Sequence, residues 1–342
     1  MAENIRNNRI LITGGAGFIG SELVRQCLDK FDTIVVVDNL LNGKRENLAG
    51  LASDRVQLVV ADIRDVQTMR GLMKNVDIVF HLACLGVRHS IHSPLENHEV
   101  NATATLKLLK LAKAAAVKRF VYVSTSEVYG TASDVPITEK HATFPMTVYG
   151  ASKLAGECFT RAFYCTYGYN TVIVRPFNSY GPRCHHEGDS GEVIPKFLLR
   201  CLSGKPMVIF GDGDQTRDFT YVSDTARGIL MVGMSEQSTG RTINLGSGNE
   251  ITINELAREV ASAVGDSQPK IVYEDSRPGD VLRLCASTER VHELVDYEPE
   301  VKLREGLLKL KNWYLSLDEP PERLLEREVV RNWEVKVDTD YV

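Results

Sequence analysis

One stretch near the N-terminus decides the fold, Thr13-Gly14-Gly15-Ala16-Gly17-Phe18-Ile19-Gly20. It follows an apolar run at residues 9–12, which predicts a buried strand, and it precedes a helical pattern over residues 21–30. Glycines here allow a tight turn, close approach of the backbone to a pyrophosphate and close packing of helix on strand. The free N–H groups at the start of the helix favour an anion. The stretch therefore predicts the phosphate-binding turn of a dinucleotide site.

The rest of the first half alternates short apolar runs with helical patterns. Runs rich in Val and Ile predict strands at residues 33–37, 56–60, 77–82, 120–124 and 171–175, and helices are predicted over residues 101–116 and 149–167. This alternation predicts an α/β fold of the Rossmann type, a doubly wound parallel sheet with helices on both faces. Ligands then bind beyond the carboxyl ends of the strands.

After about Asn178 the alternation becomes irregular, and loops rich in glycine, proline and charge interrupt it. One more apolar run, at residues 242–245, is expected to return to the main sheet. We therefore predict a smaller, discontinuous C-terminal substrate domain. Residues 1–178 with about 219–248 form the dinucleotide-binding domain, and residues 179–218 with 249–316 form the second domain. Residues 317–342, which contain Pro320-Pro321 and many charges, are predicted to be a surface tail.

Composition excludes several classes of protein. The net charge is −5 with no basic run, which argues against a nucleic-acid partner, and no apolar stretch approaches the roughly 18 residues that a membrane span needs. The seven cysteines are odd in number and form no Cys-x-x-Cys pair, which favours reduced thiols in the cytoplasm, with Cys84 and Cys158 as packing residues. His185 and His186 lack a spaced set of further ligands, so no metal site is predicted.

An acidic residue completes the predicted dinucleotide site. Asp38 lies 18 positions after Gly20, at the end of the second predicted strand. A carboxylate there accepts hydrogen bonds from the adenosine ribose hydroxyls and repels a 2′-phosphate. The predicted cofactor is therefore NAD rather than NADP. The alternative is an ordinary turn at the end of a strand with a capping aspartate.

Tyr149 and Lys153 are four residues apart, so on a helix both side chains lie on one face. A phenol beside a fixed positive charge loses its proton more readily. Together with a dinucleotide site, the pair predicts an alcohol that is oxidised by a nicotinamide while Tyr149 takes the hydroxyl proton. The alternative is an exposed helix pair, which is the usual meaning of an isolated Tyr-x-x-x-Lys.

With these residues in view, the chain resembles the extended short-chain dehydrogenases/reductases of the nucleotide-sugar epimerase/dehydratase group. The resemblance covers almost the whole chain in the order typical of the family. It rests on residues 13–20, Asp38, residues 81–83, Ser124-Thr125-Ser126-Glu127-Val128-Tyr129-Gly130, Tyr149 with Lys153, and residues 175–178, 217–219 and 277–280.

The resemblance implies a role for each matching residue. Thr125 would hydrogen-bond the sugar hydroxyl that is oxidised, Tyr149 would be the general base, and Lys153 would bind the nicotinamide ribose. The implied NAD contacts are Gly14, Gly17, Phe18, Ile19, Gly20, Asp38, Asn39, Asp62, Ile63, Leu82, Ala83, Tyr149 and Lys153. The implied contacts to a nucleotide-sugar substrate are Arg88, Ser126, Asn178, Val193, Val208, Arg217 and Arg277.

Local chemistry offers plainer roles for some of these residues. Asp62 could instead cap the helix that follows it. Each arginine could form a surface ion pair, and His81 is expected to be a packed core histidine. Family members commonly pair through two helices, here residues 101–116 and 149–167, so the resemblance also implies a homodimer.

Glu127 is the residue that separates the possible reactions. It lies two positions after Thr125. In dehydratases the resemblance makes such a carboxylate the base at C5 of the sugar, whereas simple 4-epimerases carry a small or apolar residue there. Glucose-type dehydratases have Asp-Glu where this chain has Ser126-Glu127, so the acid for the C6 hydroxyl has no candidate. A structural carboxylate bonded to backbone amides is the alternative for Glu127.

We therefore favour 4,6-dehydratase-type elimination on a nucleotide-linked hexose through a 4-keto intermediate. A UDP-sugar 4-epimerase is the second interpretation. A UDP-glucuronate decarboxylase and a non-catalytic NAD-binding sensor stay open as further ones, although the sensor is expected to have lost Tyr149 or Lys153.

Overall fold

Seven parallel strands form the central sheet in the computed structural model, which describes residues 9–51, 54–132, 134–188, 190–277 and 281–334. Along the described chain the strands are β1 (Arg9–Thr13), β2 (Thr33–Asp38), β3 (Val56–Val60), β4 (Ile78–His81), β5 (Arg119–Val123), β6 (Thr171–Pro176), β7 (Asn178–Tyr180), β8 (Met207–Phe210), β9 (Thr216–Tyr221), β10 (Thr242–Leu245), β11 (Glu250–Thr252) and β12 (Ile271–Glu274). The central sheet has the order β3-β2-β1-β4-β5-β6-β10, and neighbouring strands run parallel throughout.

Helices connect these strands. They are α1 (Phe18–Cys27), α2 (Val66–Leu72), α3 (Val87–His92), α4 (Pro94–His98), α5 (Thr105–Ala114), α6 (Val148–Tyr167), α7 (Val193–Leu202), α8 (Val222–Met234), α9 (Ile253–Val264), α10 (Glu289–Val295), α11 (Leu303–Leu315) and α12 (Pro321–Leu325). A π-helical turn, Glu99–Ala104, leads into α5, and 3₁₀ turns lie at Arg45–Leu48, Ser126–Val128 and Glu236–Ser238.

Helices cover both faces of the central sheet. On one face α1 and α8 pack through residues such as Leu23 and Ile229, and on the other α2 and α5 pack through Met69 and Leu108. A strand with both faces covered needs apolar side chains at every position, so it is a continuous apolar run rather than an alternating one. For this reason the apolar runs located the strands, whose ends differ from the predicted ones by one residue at most. The predicted α/β doubly wound parallel sheet is confirmed.

Two helix predictions need adjustment. We predicted a helix over residues 21–30, but α1 begins at Phe18 because Gly17, in extended conformation, is already its N-cap residue. The helix predicted over residues 101–116 consists of the π-helical turn and α5. The prediction for residues 149–167 agrees with α6 to within one residue.

A second region is built from two small sheets and the helices α7, α9, α11 and α12. The sheets have the orders β7-β9-β11 and β8-β12. Helices α7, α9 and α11 contribute Leu198, Leu256 and Leu310 to the core of this region. The chain returns from it to the central sheet at β10, which pairs with β6 as predicted. The division into two domains stays a prediction. Its boundaries at 178 and 218 fall inside β7 and β9, two strands of the three-stranded sheet.

The part of the predicted surface tail that the structure describes, residues 317–334, keeps many exposed residues but packs against the second region. Helix α12 lies in this stretch and packs on α7, and its Leu324 and Leu325 are buried in the core of the second region. The guanidinium of Arg200 on α7 forms an ion pair with the nearly buried carboxylate of Glu328, with a hydrogen bond of 3.0 Å from Nε and a second N···O distance of 2.9 Å. The many charges of this stretch suggested a solvated tail, but some of them form ion pairs with the body of the protein.

The described residues form no membrane-spanning helix and no disulfide. None of the described helices combines the length and the apolar character needed to cross a bilayer. All seven cysteines fall within the described residues and are free thiols. Cys158 is exposed on α6, so its predicted role as a buried packing residue is wrong.

Candidate active site

A cavity of about 1100 Å³ lies at the carboxyl ends of the central strands and extends to the second region. Its size exceeds that of a pocket for one drug-sized ligand. Nearly every residue that the sequence assigned to a site borders it: Gly14, Gly17, Phe18, Ile19, Gly20, Asp38, Asn39, Asp62, Ile63, Leu82, Ala83, Arg88, Thr125, Ser126, Glu127, Tyr149, Asn178, Val193, Val208, Arg217 and Arg277. Lys153 is the exception and lies behind the cavity wall, 1% exposed.

The glycine turn brings backbone against backbone. A Cβ atom on Gly14, whose φ is +71°, would lie 2.7 Å from the amide nitrogen of Ala83. A Cβ atom on Gly20 would lie 2.1 Å from the carbonyl oxygen of Gly14. Only glycine fits at these two positions without a shift of the backbone. The turn therefore places the N-terminus of α1 directly against the cavity, where its N–H groups suit a pyrophosphate.

Buried hydrogen bonds hold the neighbouring strand end in place. The Thr13 hydroxyl binds Nδ1 of His81 at 2.7 Å and accepts a hydrogen bond from the amide of Ala83 at 3.2 Å. Nε2 of His81 binds the Thr105 hydroxyl at 2.9 Å. Burial, with a smaller contribution from the charge of Lys153, lowers the pKa of His81 to about 3. His81 is therefore a neutral structural residue, as predicted.

The two aspartates predicted to meet the adenosine end have different surroundings. The Asp38 carboxylate accepts backbone hydrogen bonds from Ala16 at 3.0 Å and Leu40 at 2.9 Å. Burial nevertheless raises its pKa. Asp62 forms an ion pair with Arg64 at 2.8 Å, and the hydrogen bond from this arginine is the main cause of its lowered pKa. Helix α2 is capped by Asp65, so the alternative role of Asp62 as the cap is wrong.

Thr125, Glu127 and Tyr149 meet at the centre of the cavity. Thr125 is the N-cap residue of the 3₁₀ turn that follows β5, and its hydroxyl accepts a hydrogen bond from the Glu127 amide at 3.2 Å. Tyr149 lies in the first turn of α6, which is capped by Thr147. Burial raises the pKa of the Tyr149 phenol, the nearby Cys84 thiol and the charge of Glu127 raise it further, and a hydrogen bond with Thr125 opposes the shift. Cys84 borders the cavity beside Tyr149 instead of packing in the core.

The expected stabilisation of the Tyr149 phenolate by Lys153 stays a prediction. Burial is the largest cause that raises the pKa of the phenol well above its ordinary value. The Nζ atom of Lys153 donates a hydrogen bond to the carbonyl oxygen of Val123 at 2.6 Å and lies 4.4 Å from the ring centroid of Tyr122. Burial lowers the pKa of this lysine.

Arginines border the end of the cavity formed by the second region. The Nη1 atom of Arg217 donates hydrogen bonds of 2.7 Å to the carbonyl oxygens of Thr216 and Val281, which fixes the direction of its side chain. The guanidinium of Arg277 lies 4.8 Å from the ring centroid of Phe210 and 5.0 Å from that of Trp333. Arginines in fixed positions beside apolar walls suit a ligand with phosphate groups and a flat ring.

Sequence reasoning missed many residues of the cavity wall, among them Ser124, Glu192 and Trp333. Ser124 directly precedes Thr125, and its buried hydroxyl makes no hydrogen bond to the described part of the chain. Glu192 is the N-cap residue of α7, and its place directly before an apolar run was the available signal. Trp333 lies in the segment predicted to be a tail, and nothing in its local sequence indicated a site.

Glu192 gives the site a testable pH dependence. Burial raises its pKa from the usual 4.5 to about 8. Ionisation of this carboxyl therefore costs stability in the folded state, and the free energy of unfolding falls as the pH rises from about 4.5 to about 8. Glu192→Gln removes that cost, so the variant should gain about 1–3 kcal/mol over the wild type by pH 9. Denaturant titrations at a series of pH values measure the difference.

The comparison of Glu192→Gln with the wild type has a matched control. Glu293→Gln replaces an exposed glutamate on α10, and its difference from the wild type should not grow over the same pH range. A Glu192→Gln curve that runs parallel to the wild-type curve from pH 5 to pH 9 would contradict the assignment.

The glycine turn makes a second prediction. Gly20→Ala forces the turn to shift, at an expected cost of about 1–3 kcal/mol, so the dissociation constant of the bound dinucleotide should rise roughly 5- to 150-fold. Titration calorimetry with NAD measures it. Gly71→Ala is the matched control, because a Cβ on this exposed glycine of α2 meets nothing within 4 Å. Equal NAD affinity in both variants would show that the turn does not hold the dinucleotide.

Comparison with known proteins agrees with this geometry. The family model for GDP-mannose 4,6 dehydratase matches residues 11–310. A UDP-glucose 4-epimerase from Mycolicibacterium smegmatis is 34% identical over 312 residues, which cover 90% of this chain and 98% of the relative. The dTDP-glucose 4,6-dehydratase 1 of Escherichia coli is 35% identical over 340 residues, with 90% and 93% covered. UDP-glucuronic acid decarboxylase 1 of Arabidopsis thaliana is 34% identical over 322 residues, with 91% and 72% covered.

A solved structure is also similar to this chain in fold and in sequence. The dTDP-glucose 4,6-dehydratase DesIV of Streptomyces venezuelae, crystallised with NAD bound, superimposes with a TM-score of 0.84 at 34% identity and covers 90% of this chain and 97% of its own. The fold, the glycine turn and the family match agree along most of the chain. The chain therefore belongs to the extended short-chain dehydrogenase/reductase family of NAD-dependent nucleotide-sugar epimerases and dehydratases.

Proposed function

We propose that this chain uses NAD to modify a nucleotide-linked hexose through a 4-keto intermediate, by 4,6-dehydratase-type elimination. The observation that carries the proposal is the carboxylate of Glu127, which borders the cavity close enough to Tyr149 for its charge to act on the phenol. A 4-epimerisation needs no such carboxylate, because the 4-keto sugar only has to rotate in the site so that its other face is reduced. An elimination needs a base for the proton at C5 of the sugar.

The residues of the glycine turn fit NAD. The close contacts of Gly14 and Gly20 leave the N-terminus of α1 open to a pyrophosphate, and Asp38 stands where a ribose hydroxyl would be bound. When bound, NAD supplies the reversible two-electron oxidation of an alcohol carbon.

In this proposal Thr125 and Tyr149 act on the C4 hydroxyl of the sugar. The Thr125 hydroxyl orients the substrate oxygen, and the Tyr149 phenolate takes its proton as the carbon is oxidised. Because burial raises the pKa of the phenol, a cation must stabilise the phenolate. We assign that task to Lys153, one turn further along α6.

Glu127 then acts on the 4-ketone. The ketone acidifies the neighbouring C5–H bond, the carboxylate takes that proton, and the C6 hydroxyl takes a proton from solvent and leaves as water. The hydride removed from C4 would then return to C6 and a proton to C5, so that the cofactor ends the cycle oxidised. Asn178, Arg217 and Arg277 bind the diphosphate, with Arg88 and Ser126 nearer the sugar and Val193 and Val208 beside the base. Binding energy at the nucleotide end positions the sugar for these steps.

A UDP-sugar 4-epimerase is the second candidate, and the similar UDP-glucose 4-epimerase favours it. A UDP-glucuronate decarboxylase is a third, favoured by the Arabidopsis relative. Mass spectrometry after incubation with a panel of nucleotide sugars separates all three. Dehydration removes one water, decarboxylation removes one CO₂, and epimerisation leaves the mass unchanged. A sensor without catalysis would give no product at all.

The decisive variant is Glu127→Gln, which keeps the shape and removes the base. We expect turnover to fall by roughly 10²–10⁴-fold, while bound NAD and oxidation at C4 are retained. Product mass and the absorbance of reduced nicotinamide measure the two steps separately. Glu305→Gln, on the exposed side of α11, is the control and should turn over normally. Full activity of Glu127→Gln would favour the epimerase.

We also propose that the chain is a homodimer paired through α5 and α6. Apolar side chains are exposed on both helices, among them Leu106 and Tyr167, and such a patch fits an interface. Light scattering should give twice the mass of one chain. Leu106→Glu should shift this mass toward the monomer and leave the NAD content unchanged, whereas a monomeric wild type would exclude the pairing.

The location of this protein in the cytoplasm stays a prediction.

A further inference from the structure

We infer that residues 317–334, here called the C-terminal segment, complete the nucleotide end of the cavity, and that Trp333 positions Arg277 there. The inference rests on the proposed function, because it takes a nucleoside diphosphate as the ligand of that end. Trp333 is a positioning residue in this account, since it acts on the ligand through Arg277.

The C-terminal segment lies beyond the part of the chain that matches the family. The family match ends at residue 310. The similar epimerase aligns over 98% of its own length but over 90% of this chain. The segment is therefore a feature of this chain that the family resemblance does not explain.

Specific contacts fix the segment beside the first turns of α7. The Nζ atom of Lys196 donates a hydrogen bond to the carbonyl oxygen of Val329 at 2.7 Å. The side-chain amide of Asn332, itself buried, donates one to the carbonyl oxygen of Gly191 at 3.3 Å. With the Arg200–Glu328 ion pair described above, these contacts hold the segment against the residues that border the cavity.

At the end of the segment, Trp333 joins an aromatic pair around Arg277. The rings of Trp333 and Phe210 meet edge to face, with centroids 4.6 Å apart at an angle of 90°. The guanidinium of Arg277 lies within 5.0 Å of both ring centroids. All three residues border the cavity. Two rings at right angles restrict a guanidinium more than one ring does.

This arrangement suits the binding of phosphate. A ring attracts the face of a guanidinium plane, whereas phosphate oxygens bind the N–H groups at its edge. The aromatic pair therefore orients Arg277 without competing for the edge that a diphosphate uses. Lys196 lies nearby, and positive charge on Arg277, Arg88 and Arg200 adds to the effect of burial in lowering its pKa to about 8. This end of the cavity is thus cationic, as a diphosphate requires.

The test uses the full-length protein loaded with NAD. Titration calorimetry with UDP, GDP and dTDP is run on the wild type, Trp333→Ala and Trp333→Phe. We expect Trp333→Ala to weaken binding of the preferred diphosphate about tenfold, with a matching rise in KM, little change in kcat and an unchanged NAD content. Trp333→Phe keeps an aromatic face and should recover most of the affinity.

The chain supplies its own control. Its only other tryptophan, Trp313, packs against Tyr314 on α11 and is not among the residues that border the cavity. Trp313→Phe should bind diphosphates like the wild type. It also leaves Trp333 as the sole tryptophan, so a saturating diphosphate should change the fluorescence emission of that variant. This measurement decides the question even if Trp333→Ala does not fold.

Two results would overturn the inference in distinguishable ways. If the wild type binds a diphosphate but Trp333→Ala binds it equally well, or the emission of Trp333 does not respond, the positioning role fails and the proposed function stands. If the wild type binds none of the three diphosphates, the proposed nucleotide-sugar substrate fails as well.

Discussion

The site depends on how closely the backbone of the first turn approaches its neighbours. With no side chain at Gly14 and Gly20, the turn lies directly on the strand end at Ala83 and the first turn of α1 lies on Gly14. Thr13 and His81 fasten the same two strand ends with buried hydrogen bonds. A bulkier turn would move α1 away from β4 and fill the space that a pyrophosphate needs. The cavity thus exists because backbone, rather than side chains, forms its floor at this point.

The neighbours of Tyr149 oppose its ionisation. The Tyr149 phenol shares one partly buried place with the Cys84 thiol and the Glu127 carboxylate, and both neighbours raise its pKa. Lys153 is buried behind them, where its own pKa is lowered. Burial and these neighbours therefore all favour the protonated form of the phenol.

The sequence predicted the parts of the molecule that local rules determine. Runs of Val and Ile marked the central strands because both faces of the sheet are covered, and the spacing of the glycines marked the turn because only glycine fits there. The predictions from sequence failed where a contact between distant parts of the chain determines the structure. Glu328 and Trp333 belong to a segment whose charge suggested solvent exposure, yet Arg200 and Arg277, more than fifty residues earlier in the chain, hold them in place. The raised pKa of Tyr149 likewise depends on burial, which spacing on a helix does not report.

The two ends of the cavity share structural supports. Phe18, at the start of α1, packs in the core of the second region rather than under the central sheet. Arg183 of the second region donates a hydrogen bond to the Ser21 hydroxyl at 3.1 Å and forms an ion pair with Glu22, both on α1. The helix whose N-terminus faces the dinucleotide is thereby fastened to the region that carries the arginines of the nucleotide end. Separating the two regions would expose Phe18 and break a partly buried ion pair, so the geometry between the two ligand ends is set by packing and not by the ligands alone.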